Sequence, residues 1–155
     1  MTGPRDRDPA GRPRNARPRD ALGRPLSRAE PAAATDAVPA VHSPQEAVAQ
    51  ADGLLREGRP FHAHEVLEDA WKQGPGTERD FWQGLAQIAV GLTHAHRGNA
   101  RGAVTLLRRG AQRAGSYRGE TYGVDLSAVL SRAATLADTI EANGLDGVDL
   151  VTHLR

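Results

Sequence analysis

The stretch Ser43-Pro44-Gln45-Glu46-Ala47-Val48-Ala49-Gln50-Ala51-Asp52-Gly53-Leu54-Leu55-Arg56-Glu57-Gly58 carries the first helical signal in the chain. Ser43 is a side-chain acceptor suited to an N-cap, Pro44 occupies the first helical position, and Glu46 follows three residues after the cap. Ala47, Val48, Ala51, Leu54 and Leu55 then repeat at i, i+3, i+4 and i+7, until Gly58 supplies a stop. The same texture continues downstream. A second helix is expected over about Pro60 to Lys72, closed by the turn Gln73-Gly74-Pro75-Gly76. A third starts at Thr77 or Glu78 and ends near Gly98, and a fourth runs from Ala100 to Ala114 behind the cap Asn99. Asp125 caps a fifth, whose stripe Leu126, Val129, Leu130, Ala133, Leu136, Ala137 and Ile140 reaches Asn143-Gly144. No strand-like alternation interrupts the series, so the expected fold is all-α.

A shift of 40 residues brings Gly58 onto Gly98, Ala63 onto Ala103, Val66 onto Leu106 and Leu67 onto Leu107. Each half is a helix, a glycine-containing turn and a second helix. The unit is similar to tetratricopeptide hairpins, but its period is longer and two units fall short of the roughly three a solenoid needs. The expectation is therefore a compact bundle of two hairpins closed by the fifth helix, over residues 43–145, with 146–155 as a short tail.

Residues 1–42 differ in kind: eight Arg, seven Pro and five acids, with two Val, two Leu and no aromatic residue. Such a segment has too little apolar surface to offset its ordering entropy, and it is read as a disordered tail outside the fold. Asp6, Asp8 and Asp20 interrupt its arginines, which weakens a nucleic-acid-arm reading.

Composition removes several function classes. The 155 residues include no cysteine, which excludes disulfide frameworks, thiolate metal sites and thiol nucleophiles. The longest apolar run, Leu85 to Leu92, is broken by Gln87 and Gly91 and is far shorter than the ~20 residues of a membrane span. No secretory leader is apparent, and a cytoplasmic location is the expectation. Neither a Gly-x-Ser-x-Gly elbow nor a phosphate loop occurs.

One polar cluster stands out. A helical wheel of the second helix places His64 and Glu68 between Phe61 and Trp71, while Ala63, Val66 and Ala70 occupy the opposite side. Both faces look packed, so Glu68 is expected to point inward and to require partners. On the third helix Gln83, Gln87, Val90 and His94 form a mixed stripe, flanked by Gly84 and Gly91 as points of close helix approach. The expectation is that the second and third helices cross with His64, Glu65, Glu68, Gln83, Gln87 and His94 together, the Trp71 indole N–H being another donor. His62 and His96 would face solvent.

Three readings compete for these residues. A hydrogen-bonded network could simply fix helix register. Alternatively, His64 and Glu68 at i, i+4, with His94, could hold a divalent transition metal, Glu65 serving as the base of a metal-dependent hydrolase. The third reading leaves the groups exposed. His64-Glu65-x-x-Glu68 departs from the zincin helix pattern, which has a second His where Glu68 stands. A separate feature is that residues 81–119 hold six Arg and no acid, whereas 120–155 hold six acids and two Arg. Either the fourth and fifth helices pair these charges, or Arg97, Arg101 and Arg108 face RNA or another polyanion.

The run Gly58-Arg59-Pro60-Phe61-His62-Ala63-His64-Glu65-Val66-Leu67-Glu68-Asp69-Ala70-Trp71, with Gln83-Gly84-Leu85, Gln87, His94, Gly98-Asn99 and Gly102-Ala103, resembles domain-of-unknown-function family 309 over about residues 47–142. The resemblance implies a small all-helical prokaryotic protein and no established activity. Its signature includes His64, Glu65, Glu68, Trp71, Gln83, Gln87 and His94. The leading expectation is a helical binding or interaction module for a small polar ligand or a protein partner, with a homo-oligomer as a further possibility.

Overall fold

The computed structural model describes residues 43–155, so the reading of residues 1–42 as a tail lies outside the described residues. Ser43 caps the first helix, its hydroxyl accepting the Glu46 N–H at 3.1 Å, and α1 spans Pro44–Arg56. It is followed by α2 (Pro60–Gln73), a 3-10 turn (Gly76–Glu78), α3 (Arg79–His96), α4 (Ala100–Gly115) and α5 (Leu126–Asn143). Asn99 caps α4 through the Gly102 N–H and Asp125 caps α5 through the Ala128 N–H. No strand is present among the described residues.

The repeat read from the sequence is a repeat of turns. Gly58 and Gly98 both have positive φ, 73° and 82°. In each turn the next N–H reaches back five residues: Arg59 to the Leu54 carbonyl and Asn99 to that of His94, both at 2.8 Å. This pattern ends a helix with a left-handed residue, a conformation that glycine adopts without a Cβ penalty.

Successive helices pack on one another, α1 on α2, α2 on α3, α3 on α4 and α4 on α5. Their inner faces join in one core that includes Val48, Leu55, Leu67, Phe81, Leu85, Leu92, Leu107, Val129, Leu136 and Ile140. α3 and α4 approach most closely. A Cβ on Gly84 would lie 2.6 Å from the Ala114 Cβ, one on Gly110 2.6 Å from the Gly84 carbonyl oxygen, and one on Gly91 3.0 Å from Leu107. Gly84 and Gly91 thus serve close approach as expected, but toward α4 and not toward α2.

The segment after α5 runs back past α5 to α1, burying Thr152 and Leu154. Buried Asp52 on α1 accepts the Leu154 N–H at 2.7 Å and the Arg155 N–H at 3.3 Å, and the Leu154 carbonyl accepts the Asp125 N–H at 2.8 Å. Burial alone would raise the Asp52 pKa. The hydrogen bonds from Leu154, Arg56 and Arg155 outweigh it and hold the carboxyl below the usual range.

Candidate functional site

On α2 the buried side is Pro60, His62, Ala63, Val66 and Leu67. That arrangement rotates the helix relative to the sequence reading. His62, expected in solvent, is buried at 6% exposure, and Glu65, expected in a packed cluster, is exposed. The reason is the small residue Ala63, whose side is the one the neighbouring helices approach, while the larger Phe61 and Trp71 are left half-buried at the edge. His64 and Glu68 sit on this outer rim. Their side chains are 22% and 40% exposed, and His64 Nε2 lies 3.0 Å from the Glu68 carboxylate.

Burial lowers the His64 pKa below the ordinary histidine range. The Glu68 carboxylate and the Phe61 backbone oppose that shift, and Lys72 adds to it. Nε2 faces the Glu68 carboxylate and carries the hydrogen donated to it. Nδ1 is buried without a well-aligned hydrogen-bond partner, although the Phe61 backbone lies near enough to favour the charged ring. The Phe61 ring is 5.8 Å from the imidazole, and the Arg79 guanidinium lies 5.6 Å from the Trp71 ring centroid. The rest of the rim is charged: Glu65, Asp69 and Lys72 are exposed, so with Glu68 three acids share the rim with two cations, Lys72 and Arg79.

The other cluster residues lie elsewhere. Gln83 accepts a hydrogen bond from Arg113 of α4. Gln87 is half-buried with its Oε1 unpartnered. His94 Nδ1 accepts from the Asn99 side-chain amide at 3.0 Å, which orients Asn99 as the cap of α4. A Cβ at Gly102 would come within 3.1 Å of that ring nitrogen, so His94, Asn99 and Gly102 form one turn. The set His64, Glu68 and His94 is not assembled: among the described residues no group of three or more His, Cys, Asp or Glu side chains is arranged to hold a metal ion. The buried indole donor is Trp82, not Trp71.

Two buried carboxylates escaped the sequence reading. Glu78 accepts the Trp82 Nε1–H at 3.1 Å and the Tyr122 hydroxyl, and this hydrogen bond pushes the Tyr122 pKa up to about 12. The Tyr122 ring stacks on Trp82. The i, i+4 spacing of Glu78 to Trp82 was the available signal. Asp52 is the second, and its signals were a place within the Val48, Ala51, Leu55 stripe and Arg56 one turn on.

Residues 48–106 match the profile of a domain of unknown function (DUF309). This stretch is a DUF309 domain. It holds α1 from Val48, α2, α3 and the first part of α4, and therefore the whole α2 rim and both glycine turns. A curated relative, the uncharacterized protein YpuF of Bacillus subtilis (strain 168), is 33% identical over 84 residues, 52% of this chain and 48% of its own length. The chain thus spans about half the length of that relative. Tyr122 and α5 lie beyond the DUF309 match.

On the arginine face Arg97, Arg101 and Arg109 are exposed and Arg108 is paired. Arg108 donates to Glu141 at 2.7 Å and to Asp138 at 2.9 Å, both on α5, and these bonds lower the Glu141 pKa. Arg118 donates to the Gly115 and Tyr117 carbonyls. No helix among the described residues is long and apolar enough to cross a membrane.

Proposed function

We propose that the DUF309 domain is a helical binding module whose recognition surface is the outer rim of α2, and that it takes a basic segment of a protein partner. The observation that carries this reading is the position of the motif residues His64, Glu65, Glu68 and Trp71. They lie on the half-exposed side of α2, while Ala63, Val66 and Leu67 form the buried side. Packing alone does not call for a histidine, two glutamates and a tryptophan there. Their chemistry suits a cation: Glu65 and Glu68, with Asp69 beside them, outnumber Lys72 and Arg79 by one charge, and the Trp71 face already accepts the Arg79 guanidinium. His64 Nε2, 3.0 Å from the Glu68 carboxylate, orients that carboxylate.

The test is titration of the isotope-labelled full chain with an octa-arginine peptide, followed by amide and indole shifts. Changes centred on Phe61–Trp71 and Arg79, abolished by Glu65→Gln/Glu68→Gln, are expected. Shifts that avoid α2, or that persist in the double variant, would overturn the reading.

A further inference from the structure

The segment after α5 is held as a bound peptide is held. Residues 149–155 alternate exposed Val151, His153 and Arg155 with buried Thr152 and Leu154. Leu154 is the apolar anchor, at 3% exposure within the core cluster. One carboxylate, Asp52 of α1, takes two successive backbone N–H groups and the Arg155 Nε at 3.4 Å. From α5, Arg132 donates to the Asp149 and Val151 carbonyls, and the Asp125 N–H is received by the Leu154 carbonyl. The receptor side belongs to α1 and the start of α5, and the ligand side to a strap only seven residues long. Between them remains a cavity of about 130 Å³, lined by Ala128 and Arg132 of α5 and by Val151, Leu154 and Arg155.

The connection to α5 turns at two glycines, with Leu145 and Val148 beside them packed against the core. Gly144 and Gly147 adopt φ of 77° and 72°, and a Cβ on either would meet nothing within 4 Å. Two unpacked left-handed glycines between a helix end and a strap are positions where the chain can change direction at little steric cost. Exchange of an identical element between copies across such a hinge needs no new contacts.

We propose that residues 149–155 are an exchangeable strap: the seat formed by Asp52 on α1 and Asp125 to Arg132 on α5 receives an extended Leu-Arg segment, supplied here in cis and, in a swapped dimer, by a second copy of this chain. The probe is the fluorescently labelled peptide Asp149-Leu150-Val151-Thr152-His153-Leu154-Arg155, added to the full chain carrying Leu154→Ala, which vacates the anchor. Saturable binding is expected, at least tenfold tighter than to the unaltered chain, whose own strap competes, and it should disappear in Leu154→Ala/Asp52→Ala. A folded Leu154→Ala protein without saturable binding, or binding indifferent to Asp52→Ala, would overturn the proposal. Should Leu154→Ala fail to fold, amide hydrogen exchange of the unaltered chain decides. Leu154 and Arg155 exchanging through an opening that leaves α1 protected supports the strap. Exchange only together with the core helices refutes it.

Discussion

His64 is held neutral by burial at a rim where a carboxylate 3.0 Å away favours the charged form, so its titration reports on both. Its folded pKa lies below the ordinary value of about 6.5, and the unfolded chain therefore takes up the proton first as pH falls. The stability that this histidine contributes is present above about pH 6.5 and is lost as pH drops through that value toward the folded pKa. Glu68→Gln removes the group that supports the imidazolium. The His64 midpoint followed by NMR is expected to fall further, with unfolding free energy at pH 8 changed by less than about 1 kcal/mol. An unchanged or raised midpoint would mean that the two side chains do not interact in solution. Tyr122 offers the opposite case, because its hydroxyl satisfies the buried Glu78. Tyr122→Phe is expected to cost about 1–3 kcal/mol in denaturant unfolding, the penalty of a buried acceptor left without its donor. Stability equal to the parent would contradict that. Neither role was fully legible beforehand. The wheel of α2 carries apolar residues on all sides, and the bulk of Phe61 and Trp71 suggested an interior that the small Ala63 in fact marks. Tyr122 is 44 residues from Glu78, a distance over which no local pattern speaks.

At the scale of the elements, caps and glycines were legible because their physics is local. Ser43, Asn99 and Asp125 each accept a backbone N–H three residues on, and Gly58 and Gly98 close their helices in left-handed backbone. What a glycine inside a helix faces depends on a partner that local patterns do not identify. Gly84 and Gly91 were read as contacts with α2, whereas they let α4 approach. Gly84→Ala gives a sign test of that packing. Helix propensity alone favours alanine by about 1 kcal/mol, yet the new Cβ would stand 2.6 Å from both the Cβ and backbone nitrogen of Ala114. Net destabilisation of about 1–3 kcal/mol is expected by thermal or chemical unfolding, as for overpacking elsewhere. A gain in stability would show that α3 and α4 are less closely apposed. His94 belongs to this scale as well. Its bond to Asn99 makes it part of a turn.

Over the whole molecule, the chain of helix contacts from α1 to α5 is closed by the strap through Asp52. Because the Asp52 pKa is depressed in the fold, the stability it contributes is present above the ordinary carboxyl range, about pH 4, and is lost as pH falls through the folded value. Asp52→Asn is expected to lower stability at pH 7 and to flatten its acid dependence, as measured by melting temperature from pH 7 to pH 3. An acid profile identical to the parent would place the linkage elsewhere. Charge segregation resolves in part at this scale, since Arg108 spans from α4 to two acids of α5. On the α2 rim Glu68 pairs with His64 of its own helix, and the proposed recognition surface rests on that rim. The most direct test is to compare the full chain with His64→Ala/Glu68→Ala, measuring octa-arginine binding and thermal unfolding on the same samples at pH 7.5. Lost binding with a melting temperature within a few degrees of the parent is the expected result. Intact binding, or cooperative unfolding lost together with the two side chains, would show that the rim serves the fold and not a partner.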